Sequence, residues 1–274
     1  MKEKIVIETE ELKKVKRYEL DILQAVDKIC TKNKINYWVD FGTLIGTIRH
    51  QGFIPWDDDI DICILRKDFE RFREACAKEL DKKFFYQSYE TEKDYYLWFD
   101  KIRYNNTIFK EIFLAKHNIH HGVYIDIFPV DNVPDDYRLR KRQRKRYQFY
   151  RKIVQAKYGG LGFRKGKKKI GAILIRIFTF FVPLEYAYKK GTSALMEYKD
   201  IETTDVQMMV DSERVDTILP KKYYLKSQRR KFEDISVPVP IEYDKVLSAW
   251  YGDYMKLPAE KDRKSQHKLS ELKL

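Results

Sequence analysis

Apolar residues at the start of the chain recur at helical spacing. Leu12, Val15, Ile22, Leu23, Val26, Ile29 and Cys30 fall on one stripe, which predicts an amphipathic helix over residues 9–31. Tyr37 to Phe41 reads as a short strand broken by Gly42, and residues 43–50 as a short helix. Residues 59–65 alternate polar and apolar, the period of a half-buried strand. Helical spacing returns over residues 66–80, with Phe69, Phe72, Ala75, Cys76 and Leu80 turned inward. Residues 96–104, 107–113 and 123–128 supply further strands. The interleaving predicts an α+β fold, a mixed β-sheet flanked by helices.

The pattern changes at Arg138. Residues 138–169 contain fifteen Lys or Arg and no Asp or Glu, and residues 170–184 are apolar except for Arg176. Three units are therefore expected: a catalytic core over 1–136, a basic and apolar helical insertion over 137–200, and a C-terminal segment over 201–274 that closes the site.

Charge narrows the partners. The 274 residues carry 55 Lys+Arg against 42 Asp+Glu, a formal +13, so an anionic partner is expected. With 11 Gly and 8 Pro the chain is neither collagen-like nor low-complexity. No nucleic-acid-binding signature is present, and clustered acids repel phosphate unless a metal intervenes, so no nucleic-acid partner is expected. Cys30, Cys63 and Cys76 are odd in number and widely spaced, which argues for small buried side chains rather than disulfides or a zinc site. Residues 1–12 lack an apolar export core, and no run reaches the ~20 apolar residues that span a bilayer. The expected location is cytoplasmic, peripheral at the inner face of the membrane. Residues 138–184 would make that contact, basic groups meeting acidic lipid and the apolar run lying in the interface. The competing reading is a solvated helix followed by a core helix.

The chemistry concentrates in residues 40–62. On a strand, Asp59 and Asp61 share one face while Ile60 and Ile62 point into the core. Asp57 would share the acidic face, and Asp58 would point away. Carboxylates held this way repel unless a cation lies between them, and Mg²⁺, with Mn²⁺ as the substitute, suits oxygen ligands and phosphate. Asp126, a lone acid in an apolar strand, is the third metal ligand and catalytic carboxylate expected. Gly42 and Thr43, at a strand-to-helix junction, suit a phosphate cradle. Arg49 and Lys101 are the phosphate clamps expected.

These residues carry a resemblance. Residues 38–50 (WVDFGTLIGTIRH), then 52–62 (GFIPWDDDIDI), resemble the LicD/fukutin-type phosphotransferases. Residues 122–129 (GVYIDIFP) with Asp131 resemble that family's second motif, and residues 251–258 (YGDYMKLP) with Arg263 and His267 its C-terminal motif. The resemblance implies a nucleotidyltransferase-like core. It also implies transfer of a phosphorylated alcohol from a CDP-alcohol, CDP-choline foremost, to a sugar hydroxyl of a lipid-linked glycan, such as teichoic acid or lipopolysaccharide, with release of CMP. Ribitol or glycerol phosphate transfer and plain nucleotidyl transfer stand as alternatives, and a nucleic-acid-binding protein as the non-enzyme alternative. Asp253, His267 and Tyr251 are carried over from the C-terminal motif as substrate-binding residues. If the transferred alcohol is choline, Trp38, Trp56, Trp98, Tyr251 and Tyr254 are the aromatic faces available to its ammonium, with Trp56 foremost beside the acids.

Overall fold

Residues 9–159, 164–211, 214, 216–265 and 267–274 are described in a computed structural model of the protein. The first stripe forms α1 (Thr9–Lys32), which buries Val15, Ile22, Leu23, Val26, Ile29 and Cys30. α2 (Phe41–Arg49) starts two residues earlier than its pattern suggested, because the Asp40 side chain accepts from the Phe41 N–H and caps it. α3 (Arg66–Glu79) buries Phe69, Phe72, Ala75 and Cys76.

The sheet is mixed, as its pattern required. β1 (Tyr37–Val39), β2 (Asp61–Leu65), β6 (Tyr124–Val133), β4 (Asp100–Tyr104) and β3 (Phe84–Gln87) lie side by side in that order. β2 and β6 run parallel, and the other neighbours in this row are antiparallel. β7 (Asp205–Gln207) pairs with the far end of β6, and β8 (Ile218–Pro220) with β7. β5 (Ile108–Glu111) pairs with β11 (Leu269–Lys273), and β9 (Ser227–Phe232) with β10 (Ile235–Pro240).

Three strands differ from their sequence patterns. β2 begins at Asp61 rather than Asp59, since the Pro55 turn and three consecutive carboxylates leave residues 57–60 irregular. β4 begins at Asp100, and Tyr96, Leu97, Trp98 and Phe99 before it lie outside the ladder. β6 continues past Pro129 to Val133. Its antiparallel pairing with β4 ends at Ile127 and that with β7 starts at Asp131, so Pro129 sits where neither partner needs its missing N–H.

Alternation splits the sheet into two cores. Val39, Ile62, Ile64, Ile102, Ile125 and Ile127 face α1 and α3. Trp38, Cys63, Leu65, Phe128 and Val130 face the other way, against Tyr147 of α4 (Tyr137–Tyr158), Ala194 and Leu195 of α6 (Leu184–Leu195), and Val246 of α7 (Tyr243–Tyr251). α4 and α6 of residues 137–200 thus cover one sheet face. Between them, α5 (Gly166–Phe178) buries Ala172 alone. Cys30, Cys63 and Cys76 are buried and free.

Candidate active site

The strand register brings the acids together. Asp61 and Asp126 are direct partners on the parallel pair β2 and β6, so both project from the face that also carries Cys63 and Phe128. Carboxylate oxygens of Asp57, Asp58 and Asp59, just before β2, lie within 4.8 Å of one another. Asp58 therefore joins the cluster rather than pointing away. Without a strand at residues 57–60, side chains need not alternate.

Electrostatics tie the two groups together. Burial, then the charges of Asp59, Asp126 and Asp57, push the Asp61 carboxyl well above the usual range. Burial raises Asp59 to about 6, against the opposing pull of His267. Burial and the charges of Asp59 and Asp58 raise Asp57 in the same way. Burial raises Asp126 too, although Lys101 resists it. Glu19 of α1 is buried toward the same group, and burial followed by Asp59, Asp58 and Asp57 lifts its carboxyl.

Three cations answer the acids. Lys101, on β4 directly opposite Asp126, is buried with its Nζ 2.5 Å from Asp126 Oδ1 and 3.8 Å from Glu111. Its clamp role was expected toward phosphate; here its charge rests on carboxylates. His267 Nδ1 lies 3.2 Å from Asp58, and its Nε2 lies 3.1 Å from the Tyr124 hydroxyl and 3.7 Å from Glu111. Burial disfavours the imidazolium, but the Asp58 hydrogen bond, Asp59 and Glu111 outweigh it and raise His267 to about 10. Ser265 donates to the other Asp58 oxygen. Arg214 is buried with its guanidinium carbon 3.6 Å from the centre of the Phe41 ring, and its charge opposes the rise of Asp61 and Asp40.

The remaining expected residues fall in different places. Thr43 accepts from the Asp61 N–H at 2.9 Å, so its hydroxyl anchors β2 rather than lining a phosphate cradle. Gly42 lies against Asp57, since a Cβ there would sit 2.4 Å from an Asp57 carboxylate oxygen. Arg49 donates to the carbonyls of Tyr254 at 2.7 Å and Lys256 at 3.4 Å. Removing it by Arg49→Ala should cost about 1–2 kcal/mol of stability through the orphaned carbonyls and leave turnover near wild type; chemical denaturation and a rate assay check both. Trp56 is half-buried on the first core with Arg263 over its ring at 5.7 Å, Trp38 is buried and stacked on Tyr224, and Tyr254 donates to Asp244. The Tyr251 hydroxyl accepts from Arg214. Asp253 is exposed. Trp98 alone of the proposed aromatic faces lines the large cleft beside the cluster.

That cleft holds about 780 Å³ between residues 96–99, α4 and α5. Trp98, Phe99, Phe128 and Tyr158 form its walls, and Arg151, Lys152 and Lys168 supply cations. Phe128 is two residues beyond Asp126 on the same strand face, so cleft and acids adjoin. Arg214 and Glu111 carry no local signal. Each is a lone charge in an unremarkable context, and only the fold brings it to the acids.

Fold and site define a class: a mixed α+β core with buried carboxylates gathered on one face of adjacent parallel strands. Residues 34–160 match the family model for the LicD/FKTN/FKRP nucleotidyltransferase domain. The chain is 29% identical over 262 residues to the lipopolysaccharide cholinephosphotransferase LicD of Haemophilus influenzae, covering 90% of this chain and 92% of that protein. The ribitol 5-phosphate transferases FKRP of mouse and human are each 35% identical over 57 residues, 21% of this chain and 10% of theirs.

Proposed function

We propose that the protein transfers a phosphorylated alcohol, phosphocholine foremost, from a CDP-activated donor to a sugar hydroxyl of a cell-surface glycan, releasing CMP. The observation that supports this is the register of Asp61 against Asp126 beside Asp57, Asp58 and Asp59. So many buried and half-buried carboxylates, with Asp57, Asp59, Asp61 and Asp126 all raised, are a costly arrangement for a protein with no cation to place among them. An all-oxygen donor set of this kind fits Mg²⁺ or Mn²⁺. Asp59, Asp61 and Asp126 would hold the ion, with Asp57 and Asp58 at its side. Bound there, the metal supplies charge neutralisation for the donor diphosphate and for departing CMP.

The chain's own groups do the rest. Asp126 takes the proton of the attacking sugar hydroxyl as the new O–P bond forms and the bond to CMP breaks. Lys101 fixes the Asp126 carboxylate through its 2.5 Å contact and limits its rise in pKa. His267, charged at neutral pH, holds Asp58 in place. The aromatic walls of the cleft suit a quaternary ammonium, and its cationic rim suits phosphate. Choline is favoured over ribitol because the phosphocholine-transferring relative aligns with nearly the whole chain, whereas the ribitol phosphate transferases align over a short segment.

Incubation with a panel of CDP-alcohols, Mg²⁺ and a lipopolysaccharide or teichoic acid acceptor tests the proposal. CMP should appear with CDP-choline and fall to background on chelation. Pyrophosphate as the product would identify nucleotidyl transfer instead, and preference for CDP-ribitol would reassign the alcohol.

A further inference from the structure

α5 is built inside out for a helix in water. Ile170, Ile173, Leu174, Ile177 and Phe178 occupy positions i, i+3, i+4, i+7 and i+8, one continuous stripe, and all five are exposed. Phe178, Phe180 and Phe181 are 84%, 74% and 92% exposed. The inward side carries Ala172, Ile175 and the only charge in the helix's second half. That charge, Arg176, donates to the carbonyls of Ala156, Lys157 and Gly159 at the end of α4. Lys157 likewise donates to the carbonyls of Thr179 and Val182, which braces the Phe180–Phe181 turn. Apolar side chains are thus held outward by polar ones spent inward, and an exposed apolar patch of this extent marks an interaction surface.

Charge selects the partner. Lys165, Lys167, Lys168 and Lys169 lead into the stripe, and none has an acidic partner among the described residues. Nearby Glu185 is paired with Lys189. The N-terminal half of α4 is different. Arg140, Arg142, Arg144 and Arg146 pair with Asp205, Glu197, Asp216 and Glu197, so the broad basic stretch expected at the surface is partly neutralised within the protein. The free positive charge lies beside the exposed apolar stripe.

We infer that α5 and the Phe180–Phe181 turn form an interfacial docking surface for an anionic lipid bilayer. The apolar stripe would enter the headgroup boundary while Lys165, Lys167 and Lys169 meet acidic headgroups. No helix among the described residues is long and apolar enough to cross a membrane, so the contact is with the surface. The opposite side of α5 contributes Lys168, Ala172 and Ile175 to the cleft, so docking would set the cleft beside the lipid surface. The inference stands apart from the proposed reaction, because vesicle binding is measured without substrate.

Flotation with phosphatidylcholine vesicles, with and without about 30% phosphatidylglycerol, at physiological salt tests it. The protein should float with anionic vesicles and stay behind with neutral ones. Phe178→Ser/Phe181→Ser and, separately, Lys165→Glu/Lys167→Glu/Lys169→Glu should each lower partitioning about tenfold or more. These side chains are exposed, and an unchanged circular dichroism spectrum confirms folding. In a Phe181→Trp variant, emission should shift to the blue on adding anionic vesicles. Absence of binding by the wild type, binding indifferent to both sets of changes, or self-association that vanishes in Phe178→Ser/Phe181→Ser would overturn the inference, the last by assigning the stripe to a second copy of the chain.

Discussion

Asp61→Asn should reduce turnover by at least about three orders of magnitude while making the metal-free protein more stable. Both effects have one cause. Asp61 is buried at the head of β2 opposite Asp126, and burial with three neighbouring carboxylates lifts its pKa well above normal. A carboxyl whose folded pKa lies above its unfolded value is destabilising once ionised. Its cost is absent at low pH and grows as pH rises through the folded pKa. Asp57, Asp59 and Asp126 are shifted in the same direction, Asp59 to about 6. The metal-free wild type should therefore melt at a higher temperature near pH 5.5 than near pH 8. Mg²⁺ should recover the difference at the higher pH. The asparagine keeps the shape and removes one charge, so the pH slope should flatten and the Mg²⁺ response shrink. Each kcal/mol recovered appears as about 2–4 °C in a chain of this size. Scanning calorimetry at both pH values and a CMP-release assay check the prediction. An active Asp61→Asn enzyme, or a wild-type melting temperature indifferent to pH and Mg²⁺, would remove the metal from the site.

The largest stability effect is expected at a second buried pair. Arg66, the first residue of α3, makes bonds of 2.6 and 3.2 Å to the two oxygens of Asp131 on β6, and both side chains are almost wholly buried. Arg66→Met should cost about 3–5 kcal/mol, because it leaves Asp131 ionised in the interior with no counter-charge. Arg66→Met/Asp131→Leu should recover most of that loss, since no charge then remains to be desolvated. Urea unfolding should show the midpoint fall in the single variant and return in the double, with the slope unchanged. Equal midpoints for the two variants would mean that Asp131 is stabilised by something other than Arg66.

The sequence was most legible where periodicity and chemistry agreed. The α1 stripe and the inward residues of α3 appear in the fold as their spacing implied. The alternation at Asp61–Leu65 set the face of β2 correctly, and the acid within the apolar run of β6 marked a buried carboxylate. Asp59 was misplaced on the strand because alternation continues in the letters after hydrogen-bonded pairing has stopped. Pro129 looked like a strand end because one chain does not reveal which neighbour would have needed its N–H. Arg49 looked like a phosphate ligand from its position near the acids in sequence. Its guanidinium is satisfied by carbonyls more than 200 residues away, at separations of 205 and 207. Glu111, Arg214 and Ser265 were illegible for the same reason: what makes them neighbours of the acids is tertiary closure, which leaves no local mark.

The pairing of β5 with β11 also has a consequence for biosynthesis. Ser265 and His267 reach Asp58 across 207 and 209 residues of chain. While the protein is being made, the aspartate-rich stretch must wait for 209 further residues before its imidazolium partner is added. A nascent chain in that interval carries Asp58 without its imidazolium, and products released before His267 is added should be catalytically silent even where the central sheet has already formed.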